Sequence, residues 1–121
     1  MKNFYLSQGH KTPKIELNYE KGHLYIAGRS IPENSIEFYR PLIDWVNEYI
    51  DQPQDQTVVD IKLEYFNTSS SKCLIEVFRA LEELNAKDGS EVVVNWYFEE
   101  DDEDMEESGE DFKEVIKVPS Q

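Results

Sequence analysis

Cysteine is almost absent from this chain, and its scarcity sets the first limit on the protein. Cys73 is the single cysteine, so no intramolecular disulfide can form and the apolar core must hold the fold by itself. No apolar run approaches the roughly 20 residues that a membrane-spanning helix needs. The first residues also lack the apolar stretch of a signal peptide. The sequence therefore predicts a soluble, cytoplasmic protein with no membrane segment.

Basic residues are also few. The chain has 12 Lys and Arg residues against 26 Asp and Glu residues, which gives a formal net charge of −14. Ten of the acidic residues lie in residues 99–111, a segment that contains no basic residue. A chain without a basic stripe is repelled by phosphate backbones, so we expect no nucleic-acid partner.

The sequence motifs of common enzymes are missing as well. The chain contains no GxGxxG, Walker, CxxC, HExxH or GxSxG pattern, and neither histidine has neighbours that suggest a catalytic triad. An EF-hand aligned on Gly109 would put Val115 where the bidentate glutamate belongs, so that pattern fails. We therefore expect no catalytic residue, cofactor or metal site. A small enzyme that uses Cys73 or Ser70 as its nucleophile is a weaker alternative.

What is present is enough for one globular domain. The 121 residues are 39% hydrophobic, which suits a single core spanning residues 1–121. Strands that alternate with helices predict an α/β fold with a mixed sheet, flanking helices and an N-terminal β-hairpin. The predicted order is a hairpin at 14–28, a helix from 34 to 50, a strand at 57–66, a helix from about 68 to 86, a central strand at 92–98 and a last short element within 112–118. Pro41 predicts a single turn near 34–39, followed by a kink or a restart with Pro41 in the first turn of the main helix.

A cluster of hydroxyl residues joins the strand at 57–66 to the next helix. Thr68, Ser69, Ser70 and Ser71 follow Asn67, and Lys72 comes next. A helix N-terminus favours an oxygen-bearing cap, and its free N–H groups and dipole also favour a phosphate. The pattern leaves two interpretations open, a serine-rich helix cap and a phosphorylation switch.

The acidic segment, residues 99–111, directly follows the last predicted strand. Asp101, Asp102 and Asp104 are candidate contacts for a basic partner surface. A solvated acidic loop is the simpler interpretation. The apolar Met105 and Phe112 in and beside the segment favour a docking role.

Several blocks of the sequence carry a resemblance to a known family. They are residues 28–34 (GRSIPEN), 38–41 (FYRP), 65–72 (YFNTSSSK) and 96–105 (WYFEEDDEDM). Over nearly its whole length the chain resembles the SiaC family of bacterial regulatory phosphoproteins. The resemblance implies a fold similar to that of the anti-sigma-factor antagonists (STAS-like).

The resemblance also implies a function. In this family a protein kinase phosphorylates a threonine, and a PP2C-type phosphatase removes the phosphate. The unphosphorylated form activates a diguanylate cyclase in c-di-GMP and biofilm signalling. Carried over, the acceptor is Thr68. From the residues themselves, we expect a partner to contact the turn and the acidic segment through Asn67, Ser69, Ser70, Ser71, Asp101, Asp102 and Asp104. The alternative is a constitutive acidic adaptor or inhibitor that docks a basic surface through residues 99–111.

Overall fold

The computed structural model describes residues 1–86 and 90–115, the last of them by its backbone alone. Within these ranges no helix is both long enough and apolar enough to cross a bilayer. The elements in chain order are β1 (Phe4–Leu6), β2 (Lys14–Asn18), β3 (His23–Ser30), α1 (Ser35–Tyr49), β4 (Gln56–Phe66), α2 (Thr68–Ala86), β5 (Glu91–Trp96) and α3 (Glu103–Val115).

The strands form one mixed sheet in the order β1-β2-β3-β4-β5. β1 to β3 pair antiparallel, and β3, β4 and β5 pair parallel. Gly22, at φ 61°, makes the turn between β2 and β3, where a residue without a side chain is favoured. The predicted α/β class and the N-terminal hairpin on a mixed sheet are confirmed, whereas the STAS-like comparison stays a prediction.

Both long helices cover the same face of the sheet. Along β3 and β4 every second side chain is buried, and these side chains share one core with α1 and α2. Polar residues occupy the opposite face, so β4 is buried on one side only, as its alternation predicts. The core includes the following buried residues: Ile15, Leu17, Leu24, Ile26, Tyr39, Leu42, Trp45, Val46, Tyr49, Val59, Ile61, Leu63, Cys73, Leu74, Val77, Phe78, Leu81, Leu84, Val92, Val94, Met105 and Phe112.

The prediction that residues 92–98 form a central strand is wrong. β5 lies at the edge of the sheet, beyond β4, and ends at Trp96. Its apolar residues do not indicate a strand covered on both faces. They are explained in part by α3, because Trp96 at the end of β5 packs against Phe112, with ring centroids 5.2 Å apart. The Trp96 indole N–H also donates to the Met105 carbonyl at 2.9 Å.

The predicted break at Pro41 is also absent. α1 runs without interruption from Ser35 to Tyr49, and Asn34 caps it by accepting the Glu37 N–H at 3.1 Å. A proline inside a helix costs about 3 kcal/mol. The fully buried Tyr39 and Leu42 lie on either side of Pro41 and hold the helix against the sheet. Tertiary packing therefore outweighs the local preference.

The final element also differs from the expectation. Residues 103–111 of the acidic segment, for which a solvated loop was the simpler interpretation, form one helix with the start of the predicted last element. This helix is α3, and residues 99–102 precede it. Residues 116–118 of the predicted last element lie outside the described residues.

Candidate functional site

The hydroxyl cluster lies at the carboxyl edge of the parallel strands, where β4 passes into α2. Asn67, and none of the hydroxyl residues, is the helix cap. Its side-chain oxygen accepts the Ser70 N–H at 2.9 Å, and its carbonyl accepts the Ser71 N–H at 3.1 Å. The Asn67 N–H in turn donates to the Ser30 carbonyl at 3.0 Å, which ties the turn to the end of β3. Capping therefore leaves the four hydroxyls available for other roles.

Ser70 is part of a buried network of hydroxyl groups. The Ser70 hydroxyl donates to the Ser30 carbonyl at 3.1 Å and accepts from the Ser30 hydroxyl at 2.8 Å. The Ser30 oxygen lies 2.5 Å from the Tyr39 hydroxyl oxygen. Burial raises the pKa of Tyr39 to about 12, against the opposing effect of the hydrogen bond with Ser30. Ser70 is fully buried, so its side chain supports the turn from inside the molecule.

Ser69 links the starts of the two long helices. Its hydroxyl lies 2.8 Å from the Ser35 hydroxyl and donates to the Asn67 side-chain oxygen at 3.2 Å. Ser35 is buried at the first position of α1 and also lies 3.4 Å from the Ser70 hydroxyl. The first turns of α1 and α2 are therefore held together by side-chain hydrogen bonds.

Ser69 is exposed but hydrogen-bonded, and Ser71 is half-buried, so Thr68 alone of the four hydroxyl residues is both exposed and unpaired among the described residues. It is the first residue of α2, and its hydroxyl has no hydrogen-bond partner in the part of the chain that the structure describes. The N–H groups of Thr68 and Ser69 likewise have no acceptor among the described residues. Ser71 is half-buried, and Lys72 is exposed one helical turn beyond Thr68. A phosphate on Thr68 would find open backbone donors and solvent.

The groups that could serve a nucleophilic enzyme are placed poorly for that purpose. Cys73 is buried, and burial together with the Glu76 charge raises the pKa of its thiol, which disfavours the reactive thiolate.

His23 lies on the open face of the sheet, where its Nε2 is 2.7 Å from an Asp60 carboxylate oxygen. Burial opposes ionisation of Asp60, but hydrogen bonds from Asn95 and His23 outweigh it and hold the Asp60 pKa below its usual value.

The acidic segment follows β5 at the same edge of the sheet and leads into α3. Asp102 caps α3 by accepting the Met105 N–H at 3.0 Å, while Asp101 and Asp104 are exposed. Because β4 and β5 are parallel neighbours, the segments that follow them emerge at one edge. Within residues 1–86 and 90–115, no hydrogen bond or ion pair joins the hydroxyl cluster to these aspartates. The described residues also hold no group of three or more His, Cys, Asp or Glu that could bind a metal ion.

α3 is anchored by contacts on its inner side. Met105 and Phe112 are buried, and the Phe112 ring contacts Phe78 of α2 with centroids 5.3 Å apart. A Cβ atom on Gly109 would lie 2.5 Å from Cδ1 of Trp96, so only glycine lets the helix approach the indole this closely. The acidic residues are thus displayed on an ordered helix.

The sequence analysis missed the supporting residues Ser30, Ser35 and Tyr39. Each is polar or amphipathic and lies near a strand end or in the first turns of a helix, where a polar residue is common for local reasons. Only the strand order could have revealed that these residues meet, because Ser30 is the last residue of β3 and Asn67 directly follows its parallel neighbour β4. Pairing β3 with β4 would have placed them at one edge.

Comparisons with known proteins agree with this geometry. Residues 6–120 match the family described as "SiaC family regulatory phosphoprotein". The chain is 32% identical to an uncharacterized protein of Pseudomonas aeruginosa (strain UCBPP-PA14) over 98% of this chain and 94% of that protein. It superposes on apo-SiaC of Pseudomonas aeruginosa with a TM-score of 0.91 and 31% identity, covering 99% of this chain and 97% of that one. It also matches SiaC in a complex of the diguanylate cyclase SiaD with its activator SiaC from the same organism, at a TM-score of 0.91 and 32% identity, over 97% and 95% of the chains.

Proposed function

Because the chain belongs to the SiaC family of regulatory phosphoproteins, we propose that it is a non-catalytic switch protein controlled by phosphorylation of Thr68. Its unphosphorylated form binds and activates a diguanylate cyclase in the bacterial cytoplasm. A dedicated protein kinase adds the phosphate, and a PP2C-type phosphatase removes it. Support for the cyclase partner comes from the relative that was solved bound to diguanylate cyclase SiaD.

One observation carries the choice of Thr68. It is the exposed hydroxyl without a hydrogen-bond partner at the start of α2, whereas Ser69 and Ser70 are engaged by Ser35 and Ser30. A kinase can reach the Thr68 hydroxyl without breaking an internal hydrogen bond. Modification of Ser70 would require the buried network to open.

The phosphate should leave the fold intact. Phosphorylation adds about −1.5 to −2 charges and three acceptor oxygens. At Thr68 these meet the open N–H groups and the positive end of the α2 dipole, an interaction worth roughly 0.3–1 kcal/mol at an exposed site. Lys72, exposed one turn later, adds a compensating charge. The free energy of unfolding should therefore be unchanged or slightly higher.

The effect of phosphorylation must then fall on binding. A partner that packs over the turn at residues 67–71 would have to strip water from a charged phosphate, which costs several kcal/mol. Since about 1.4 kcal/mol changes affinity tenfold, even partial burial of Thr68 would produce a usable switch. The partner-binding residues in this proposal are Asn67, Ser69 and Ser71 at the turn and Asp101, Asp102 and Asp104 beyond β5. Ser70 acts from beneath them.

The test is a titration of the host's diguanylate cyclase with four forms of the protein. Wild type and Thr68→Ala should bind equally and stimulate c-di-GMP synthesis. Thr68→Asp and the phosphoprotein should bind at least about tenfold more weakly. Ser7→Asp is the matched control, because Ser7 is exposed and lies outside the site. Equal binding by Thr68→Asp, the phosphoprotein and wild type would contradict the switch. It would favour the constitutive acidic adaptor if neutralising residues 99–111 then abolished binding.

A further inference from the structure

Besides Tyr97, whose hydroxyl donates to Asp60, three large apolar side chains are exposed at the carboxyl edge of the parallel strands. Ile36 is 66% exposed, Tyr65 is 53% exposed and Phe98 is 44% exposed. Each lies near the carboxyl end of a different parallel strand. Ile36 is in the first turn of α1, which follows β3; Tyr65 is near the end of β4; and Phe98 follows β5. Scattered apolar residues are normal on a surface, but their convergence on one edge is informative.

Each of these side chains lies close along the chain to the Thr68 turn, to a residue bonded to that turn, or to the end of β4 that precedes it. Ile36 follows Ser35, whose hydroxyl is 2.8 Å from that of Ser69. Tyr65 precedes Thr68 by three residues. Phe98 lines a shallow groove together with Leu63 and Glu64, directly before Tyr65.

Local structure does not require an apolar residue at position 36. The first turn of a helix favours polar and acidic residues, and Asn34 and Glu37 of the same turn follow that rule. Isoleucine is also a weaker helix former than alanine. With two thirds of its surface in water, Ile36 contributes little to the core.

The α3 side of this edge is mainly acidic, although Lys62 also lines the groove beside Phe98. The groove next to Phe98 is also lined by Glu99 and Asp102, and the neighbouring depression is lined entirely by acidic residues between 99 and 104. An occupant of the whole surface must therefore present apolar groups over the Thr68 turn and basic groups beside α3. A membrane or nucleic acid fits poorly, because both carry anionic groups that this segment repels.

We propose that the diguanylate cyclase docks on an apolar surface formed by Ile36, Tyr65 and Phe98, with basic side chains placed against the acidic segment. This inference rests on the proposed function and names the contact through which it operates. The cyclase would place apolar side chains on both sides of Thr68 and exclude water from it. A phosphate there would lose its hydration without gaining a basic partner, since the basic groups lie on the α3 side.

The experiment compares two exposed tyrosines on separate strands, Tyr65 near the end of β4 and Tyr5 on the edge strand β1. Tyr65 and Tyr5 are 53% and 57% exposed, so truncating either removes a similar exposed ring. Tyr65→Ala should weaken binding of the unphosphorylated protein to the purified cyclase by about tenfold or more, and Tyr5→Ala should leave it unchanged. Ile36→Ala should also weaken binding about tenfold, although alanine favours the helix and should preserve the melting temperature.

The outcomes separate this surface from the switch. Weakened binding by Tyr65→Ala and Ile36→Ala supports the apolar surface even if Thr68→Asp binds as wild type does, a result that would refute only the switch. If both variants bind as tightly as wild type while Thr68→Asp loses binding, the switch stands and the apolar surface is wrong. An equal loss for Tyr5→Ala and Tyr65→Ala would overturn the assignment of the surface to this edge.

Discussion

The hydroxyl of Tyr39 is expected to set how the stability of this protein depends on alkaline pH. Tyr39 is fully buried beneath the Thr68 turn, and its hydroxyl is held by Ser30. Burial raises its pKa from 10.0 to about 12, because the tyrosinate would be charged in an apolar surrounding. A group whose pKa is higher in the folded than in the unfolded state stabilises the fold fully below pH 10. That stabilisation is lost as pH rises from 10 to 12.

The magnitude follows from the shift. Two pKa units correspond to about 2.7 kcal/mol, of which about 1.4 kcal/mol is lost by pH 11. Tyr39→Phe removes this dependence, but it also removes one hydrogen bond from Ser30, which costs about 1 kcal/mol at neutral pH. Ser30 keeps its bond to Ser70, so the cost should not be larger. The variant should be less stable than wild type at pH 8 and equal to it at about pH 11.

Urea unfolding followed by tryptophan fluorescence at pH 8, 10 and 11 measures both effects. Other groups that titrate in this range are common to the two proteins, so the difference between them isolates Tyr39. If the difference in free energy of unfolding between wild type and Tyr39→Phe stays constant from pH 8 to pH 11, the argument that burial raises the Tyr39 pKa is refuted. A neutral-pH loss well above about 2 kcal/mol would show that the hydroxyl supports more of the network than its one contact.

Three further predictions concern α3 and the acidic segment. Gly109→Ala should lower the free energy of unfolding by about 1–3 kcal/mol, because its Cβ would lie 2.5 Å from Trp96 Cδ1. Glu107→Ala is the control. Unchanged or higher stability of Gly109→Ala would contradict the close approach of α3 to Trp96. Asp101→Asn combined with Asp104→Asn should slow association with the cyclase mainly at low salt, since exposed charges steer encounter; an equal effect at high salt would contradict steering. Millimolar calcium or magnesium should leave the melting temperature unchanged, and a large rise would reveal a metal site.

Local sequence patterns predicted most of the fold. The alternation along β2, β3 and β4 and the apolar stripe of α2 each depend on residues within one element, and the structure confirms them. The position of β5 depends on a distant contact instead. Its apolar run is equally suited to a covered central strand and to an edge strand packed on α3, and only the contact between Trp96 and Phe112 separates them.

The candidate site was predictable only in part, for a related reason. The hydroxyl cluster and the acidic segment are each contiguous in sequence, so composition reveals them. The supports beneath Thr68 come from three separate segments, and Ser30 and Ser70 are 40 residues apart. Their meeting depends on the register of β3 against β4, including the shift after Gly28 that places Arg29 opposite Tyr65. No local pattern specifies that shift.

The residues that support the turn at Thr68 are separate from the Thr68 hydroxyl itself. This separation explains why a switch at Thr68 should act on binding and leave the fold unchanged. The buried hydroxyls of Ser30, Tyr39 and Ser70 hold the turn from below, where a phosphate on the outer side does not reach them. Asn67 satisfies the helix cap independently of Thr68. The added charge would therefore meet open N–H groups, the exposed Lys72, solvent and whatever protein packs over the edge. Of these, only the partner has to remove water from the phosphate, so the energetic cost of phosphorylation appears in the affinity for that partner.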